Sequence, residues 1–290
     1  MSSIRALALF ALGPLLACTP EAGPAHAAPG APRVVSLGGT LTEAVFALGV
    51  GELVVGADTS STYPHPVREL PMVGYNRAIS PEGVASLGPT VVIHTEETGP
   101  PAALAQLANL GIELVEFEAP KDVATAKQHL RALGVHFGAE ARAAELVATL
   151  ERDLEELHQR VAADPRRPLV AFLYGRGGGT LMLAGQATEA QTMIELAGGR
   201  FPDVGFQGFK PFSAEAIVEM DPEYILMMSQ GLESIGGSEA VHALPGVALT
   251  RAAQPGRLVA VDDLALLGFG PRMGSAALEV FEAIHPVEPR

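Results

Sequence analysis

At 290 residues the chain can hold one large domain or two of ordinary size, either with a substantial core. Hydrophobic residues make up 48% and charged residues 18%, a balance that excludes a disordered polymer. Nineteen Lys and Arg stand against 33 Asp and Glu, and the formal net charge of −14 excludes a surface built to hold nucleic acid or an anionic membrane.

In chain order, the first feature is an export signal. Arg5 precedes an apolar run from Ala6 to Leu16 that is too short to span a bilayer, and the run ends in Leu15-Leu16-Ala17-Cys18. That is the pattern of a lipoprotein cleavage site. Cys18 is the only cysteine, so neither an internal disulfide framework nor a Cys-rich metal site is available. The expectation is a signal segment over 1–18, an acylated Cys18, and a flexible tether over 19–32. The protein would then sit at the periplasmic or extracytoplasmic face, held by lipid alone. Cleavage after Ala25-His26-Ala27 is the alternative, and it would give a soluble periplasmic protein.

From Arg33 onward, short β-branched runs alternate with helix-like segments. Arg33 to Leu37 is a strand, Thr42 to Leu48 a helix entered from a Gly-Gly-Thr turn, and Leu53 to Gly56 and Val91-Val92-Ile93 further strands. Leu104 to Leu110 and Leu114 to Phe117 continue the alternation, which is that of a parallel, doubly wound sheet. Ala139 to Ala163 then forms one long polar helix with a single apolar stripe of Leu146, Val147, Leu150, Leu154, Leu157 and Val161, ended by Asp164-Pro165. A second alternation runs from Leu169-Val170-Ala171 through Tyr224-Ile225-Leu226 to Leu258-Val259-Ala260-Val261. The expected fold is α/β: two doubly wound lobes, over 33–138 and 166–290, joined by a single long helix over 139–165.

An internal repeat supports the division. Ser80 to Ile93 aligns without a gap with Ser213 to Leu226, matching Ser, Glu and Pro at the same offsets, and each copy reads as a Ser-capped helix, a turn and a buried strand. Two such lobes place a ligand in the cleft between them, where loops leave the strand ends. A single stiff connecting helix predicts a modest rocking of the lobes rather than a wide hinge closure.

Arg33-Val34-Val35-Ser36-Leu37-Gly38-Gly39-Thr40-Leu41-Thr42-Glu43, Val55 to Pro64 and the run Val73-Gly74-Tyr75-Asn76-Arg77-Ala78-Ile79-Ser80-Pro81-Glu82 resemble the periplasmic haem-binding proteins of bacterial haem ABC importers. The likeness continues through Glu96 to Pro101, Gly208 to Glu215, Gly231 to Gly237 and Leu266 to Arg272. This general architecture is shared with cobalamin and siderophore binders, and the Val-Gly-Tyr-x-Arg-x-x-Ser-x-Glu run is the more telling part.

The resemblance implies that Tyr75 is the axial ligand of haem iron, and a hard ferric ion suits a phenolate oxygen. A free Tyr titrates near pH 10, so a nearby cation must favour its ionised form, with Arg77 and Arg272 as candidates. Lys210, Arg77, Arg176 and Arg272 are candidates for pairing with haem propionates. Tyr174 and Arg176, in the first loop of the second lobe, are expected to act across the cleft, and Phe209 to stack on the porphyrin. Two departures stand out: Asn76 where many members have Met, and Phe209 where they have Tyr. Glu82 and Glu215, equivalent in the repeat, match the surface carboxylates that dock such proteins onto the permease dimer of an ABC transporter with its ATPase. The resemblance also implies an outer-membrane haem receptor system upstream.

Among the histidines, His129, His136 and His158 fall on polar helical segments as solvated residues, His65 lies in a Pro-rich turn, and only His94 sits where it might face the cleft. Gly175-Arg176-Gly177-Gly178-Gly179 lacks the spacing of a nucleotide loop, and no Gly-x-Ser-x-Gly or His-Glu-x-x-His motif is present. The expected role is capture of ferric haem rather than catalysis. Cobalamin or a ferric siderophore in the same fold, and an exported α/β enzyme, are the alternatives.

Overall fold

The computed structural model describes residues 30–287 apart from 177–179, and the side chains of Arg176 and Thr180 also fall outside the described part. Cys18, the expected signal segment and most of the tether lie outside the described residues.

The first lobe runs β1 (Val34–Leu37), α1 (Gly39–Ala47), β2 (Val54–Ala57), β3 (Gly74–Tyr75), β4 (Ala78–Ile79), α2 (Pro81–Ser86), β5 (Val91–Thr95), α3 (Pro101–Asn109), β6 (Glu113–Phe117) and α4 (Val123–Phe137). The long helix α5 (Glu140–Ala163) follows. The second lobe begins with β7 (Val170–Arg176), β8 (Thr180–Ala184), α6 (Glu189–Leu196), β9 (Phe209–Pro211), α7 (Ala214–Met220) and β10 (Tyr224–Met228). It is completed by α8 (Ser229–Ser234), α9 (Gly237–His242), β11 (Leu258–Val261), α10 (Asp263–Leu267) and α11 (Met273–Ile284).

Four parallel strands in the order β2-β1-β5-β6 form the first sheet. The second has the order β11-β10-β7-β8-β9, in which β11, β10 and β7 are parallel while β8 and β9 pair antiparallel. That antiparallel edge departs from the strict alternation the sequence predicts. A short connection after β7 can only turn back, because a parallel crossover needs a dozen or more residues. Tyr174 and Arg176 are accordingly strand residues, paired with Met182 and Thr180, rather than members of a loop.

The repeat survives folding in register. Ser80 caps α2 by accepting from the Gly83 N–H, and Ser213 caps α7 by accepting from the Ala216 N–H. The strands that follow start at Val91 and Tyr224, the same distance from their caps, and each lies inside its sheet between two parallel neighbours. Period-two alternation sends Val91 and Ile93 to one face and Val92 to the other, just as Tyr224 and Leu226 part from Ile225 and Met227. Because helices cover both faces, these strands are buried end to end and are apolar runs.

Helix α5 belongs to both cores. Ala143 and Val147 pack with Val34, Leu41, Ile93 and Leu130 of the first lobe, whereas Leu150 and Leu157 pack with Phe172, Leu226, Ala277 and Val280 of the second. A second tie crosses the lobes directly. Arg272, just before α11, forms a bidentate pair with Glu43 of α1 at 2.8 and 2.9 Å, and its guanidinium also binds Asp262 at 2.9 Å. It stacks over the Tyr63 ring at 3.7 Å from the ring centre. Burial opposes the charge on Arg272, but the hydrogen bonds and field of Glu43 outweigh it and raise the pKa. Glu43 is buried, so removing its partner would strand a carboxylate in the interior, at a cost of about 3–5 kcal/mol.

The histidines correct one expectation. His136 and His158 are exposed, but His129 is buried, with Nδ1 2.9 Å from the Glu118 carbonyl and Nε2 without a partner. His129 lies on the buried face of α4 with Ala126, Leu130 and Leu133, and the neighbouring Lys127, Gln128 and Arg131 concealed it. Burial lowers the pKa of His129, with the Glu118 carbonyl opposing, and lowers that of His285, with Asp164 opposing. Both therefore bind protons more readily in the unfolded chain, so stability falls as pH drops below the ordinary histidine value of 6.5. His129→Leu should flatten the loss of Tm between about pH 7 and 5. An unchanged pH slope in thermal unfolding would count against a buried neutral His129.

Candidate functional site

A cleft of about 410 Å3 opens between the lobes. Its first-lobe wall consists of segments that leave the carboxyl ends of parallel strands: Gly38 to Leu41 after β1, Ser60 after β2, Thr95 and Glu97 at the end of β5, and Ala119 to Lys121 after β6. This is where ligand sites in such sheets form. The β3–β4 hairpin contributes Tyr75, Asn76 and Arg77, and the second lobe supplies Tyr174, Met182, Glu189, Phe209, Leu264, Leu267 and Gly268.

Tyr75 sits on a very short hairpin. Gly74 pairs with Ile79 and Tyr75 with Ala78, leaving Asn76 and Arg77 as the two-residue connection. Gly74 has φ +103°, and a Cβ there would meet the Ala78 carbonyl at 3.1 Å, so the turn favours glycine. The hairpin is fastened on several sides. Thr59 N–H donates to the Gly74 carbonyl at 2.8 Å, Gly99 N–H to the Asn76 carbonyl at 2.9 Å, and Ile79 N–H to the Gly99 carbonyl at 3.1 Å.

The deepest fastening is Asp58, which is fully buried. Its Oδ1 accepts from Gly38 N–H at 2.8 Å and Ser61 Oγ at 3.0 Å. Its Oδ2 accepts from Ser60 N–H at 2.9 Å, Ser60 Oγ at 2.6 Å and Asn76 N–H at 3.2 Å. One carboxylate thus joins the β1–α1 turn, the segment after β2 and the Tyr75 hairpin. Ser60 Oγ also accepts the Gly39 N–H at 3.0 Å. These remote partners let α1 begin at Gly39, three residues before the helix expected from sequence.

Tyr75 is 43% exposed at the wall, the exposure a ligand-facing aromatic needs. Arg77 pairs with Glu97 at 2.9 Å. The hydrogen bond and the field of Glu97 raise its pKa, and the ring oxygens of Tyr75 and Tyr174 lie close enough to add to the effect. From the second lobe, Tyr174 and Phe209 meet with ring centres 5.4 Å apart, tilted by 56°. The cleft therefore offers a phenol on a rigid mount, a guanidinium beside it, and an aromatic pair opposite.

Other expected residues lie elsewhere. Arg272 does not line the cleft and is committed to Glu43 and Asp262. Lys210 lies outside the lining, with Nζ 4.7 Å from the centre of the Phe206 ring. The side chain of Arg176 lies outside the described residues. His94 is buried within the first lobe, its Nδ1 3.1 Å from the Thr95 carbonyl, and it does not reach the lining. Glu82 and Glu215 are exposed in the first turns of α2 and α7. Lys121, Glu97 and Glu189 line the cleft and were not singled out from the sequence. Lys121 stands four residues beyond the end of β6, in the segment that leaves its carboxyl end. Among the described residues, no cluster of His, Cys, Asp and Glu could hold a metal ion by itself.

Residues 34–264 match the family model described as periplasmic binding protein, and the chain belongs to that family, whose members bind and deliver ligands rather than convert them. Among solved structures it is similar to the periplasmic haem-binding protein RhuT from Roseiflexus sp. RS-1, at 38% identity and a TM-score of 0.81 over 88% of this chain and all of that one. A periplasmic haem-binding protein from Pseudomonas aeruginosa is 35% identical with a TM-score of 0.81, covering 88% of this chain and 92% of the other. Curated relatives include the ABC transporter substrate-binding lipoprotein YvrC of Bacillus subtilis (strain 168), 26% identical over 88% of this chain and 80% of its own length. A vitamin B12-binding protein of Pectobacterium atrosepticum is 27% identical over 73% of this chain and 75% of its own.

Asp58→Ala would orphan the buried Gly38 and Asn76 amides together. We expect it to destabilise the protein by about 3 kcal/mol or more in thermal unfolding, and Asp58→Asn, which keeps one acceptor, by less. Equal stability of Asp58→Ala and wild type would show that these bonds do not hold the hairpin.

Proposed function

We propose that this chain captures ferric haem in the cleft between its lobes and delivers it to an ABC importer. The observation that carries the reading is Tyr75: a phenol exposed at the wall on a two-residue hairpin, with Arg77 beside it and aromatic rings facing it. In this reading Tyr75 supplies the phenolate that ligates iron, and Arg77 favours its ionised form. Phe209 and Tyr174 pack on the porphyrin face from the second lobe. Arg77 and Lys121 receive the propionates, and Arg272 stays committed to Glu43 in place of the role the sequence led us to expect. The solved haem-binding proteins at 35–38% identity support the choice of ligand.

Haem is cargo here, not a resident cofactor. Glu82 and Glu215, one per lobe and exposed at matching positions, dock onto cationic residues of the permease dimer. Two separated charge pairs fix orientation as well as speed of encounter. Among the described residues no helix is long and apolar enough to cross a membrane, and a lipid on Cys18 provides attachment. The lipoprotein relative in Bacillus subtilis supports that anchor.

Titration of the purified protein with ferric haem should give the absorption spectrum of a Tyr-ligated, high-spin iron. Tyr75→Phe should abolish that spectrum and weaken binding at least about 10- to 100-fold, the loss that even outer partners of a metal site produce. Saturable cobalamin binding with no haem spectrum would move the assignment to the ligand named for the relatives at lower identity. Glu82→Ala combined with Glu215→Ala should reduce uptake in a reconstituted transporter while leaving haem affinity unchanged. A fall in haem affinity would contradict the docking role.

A further inference from the structure

Among the described residues the cleft wall carries Arg77 and Lys121, and each is already paired with one of two adjacent acids. Arg77 Nη2 lies 2.9 Å from Glu97 Oε2, and Lys121 Nζ lies 3.0 Å from Glu96 Oε1. The two pairs differ in kind. Glu96 also accepts the Ala119 N–H at 2.9 Å, so it pins the segment after β6 to the segment after β5. Glu97 makes no such backbone bond among the described contacts, and its side chain is 44% exposed. It lines the cleft together with the guanidinium it holds.

Resting on the haem reading, we propose that Glu97 is an internal competitor for Arg77: it occupies the guanidinium in place of a ligand carboxylate and is displaced when a haem propionate arrives. The chemistry follows from the donor set. Glu97 meets the guanidinium through one described contact, Nη2 to Oε2 at 2.9 Å, and a propionate offers Arg77 the same group with the geometry for a bidentate fork. An exposed pair of this kind is weak, which makes the exchange accessible. The pairing also keeps a lone cation from standing unpartnered beside the Tyr75 phenol in the empty cleft. An uncharged ligand does not compete for the guanidinium, so Glu97 lowers affinity for carboxylate-bearing ligands alone. Glu96, with its backbone bond, stays in place and holds the loop that presents Lys121.

The test compares Glu97→Gln with wild type on two probes, ferric haem and its dimethyl ester, in which methyl esters replace the ionised propionates. Wild type is titrated with haem first, and failure to bind there sinks the haem reading itself before Glu97 is at issue. We expect Glu97→Gln to bind haem roughly two- to fivefold tighter, the span of an exposed ion pair, with no change for the diester. The gain should vanish in an Arg77→Ala background. An equal gain on both probes would overturn the proposal, because Glu97 would then act through its field on Tyr75. So would unchanged or weaker haem binding by Glu97→Gln, which would make Glu97 a positioning residue for Arg77.

Discussion

A single buried carboxylate sets the geometry of this cleft. Asp58 is fully buried, and among the described hydrogen bonds its carboxylate is held by donors drawn from three separate segments. A buried charge that is not well hydrogen-bonded is costly, and the fold answers by bringing the β1–α1 turn, the segment after β2 and the Tyr75 hairpin to one point. A small two-stranded hairpin is marginal by itself. Fastened to Asp58 and to Gly99, it becomes a rigid mount for the Tyr75 phenol.

The lobes are coupled by two means of different character. Helix α5 carries apolar side chains into both cores, so bending it would disturb packing on either side. The Glu43–Arg272 pair joins residues 229 positions apart near the floor of the cleft. Close approach there depends on small residues: a Cβ on Gly268 would meet Thr40 Oγ1 at 2.5 Å, and one on Gly39 would meet Leu264 at 2.6 Å. A stiff spine and an ionic tie favour small rocking motions over wide opening. A ligand such as a flat macrocycle would then meet a cleft already shaped for it, with little ordering left to do.

The cleft lining balances its charges, Arg77 and Lys121 against Glu97 and Glu189, where the chain as a whole is acidic. A net charge of −14 disfavours an anionic ligand at long range, yet the wall concentrates Arg77 and Lys121 at short range. Each is held by a carboxylate, and neither stands free among the described contacts. Such a site distinguishes ligands by what they can exchange for those carboxylates as well as by shape. The exposed acids outside the cleft, Glu82 and Glu215 among them, remain available for a basic partner surface.

Much of this was legible in the sequence, because it depends on local pattern. The short runs Arg33 to Leu37, Val91 to Ile93 and Tyr224 to Leu226 marked β1, β5 and β10, a single stripe marked α5, and matching Ser, Glu and Pro marked the repeated helix–turn–strand unit. The Val-Gly-Tyr-x-Arg run marked Tyr75 as a candidate through its resemblance to haem-binding proteins, but not the hairpin that carries it, whose turn is Asn76-Arg77. What the sequence could not supply were the pairings between distant residues. Arg272 was expected at the ligand and is committed to Glu43, Lys210 lies over Phe206, His129 is buried under an otherwise polar helix, and Lys121 and Glu97 enter the cleft unannounced. Period and spacing fix which face of an element a side chain occupies. Only the packing of one lobe against the other decides which of several arginines meets a carboxylate, because that choice rests on separations in space that the order of residues does not encode.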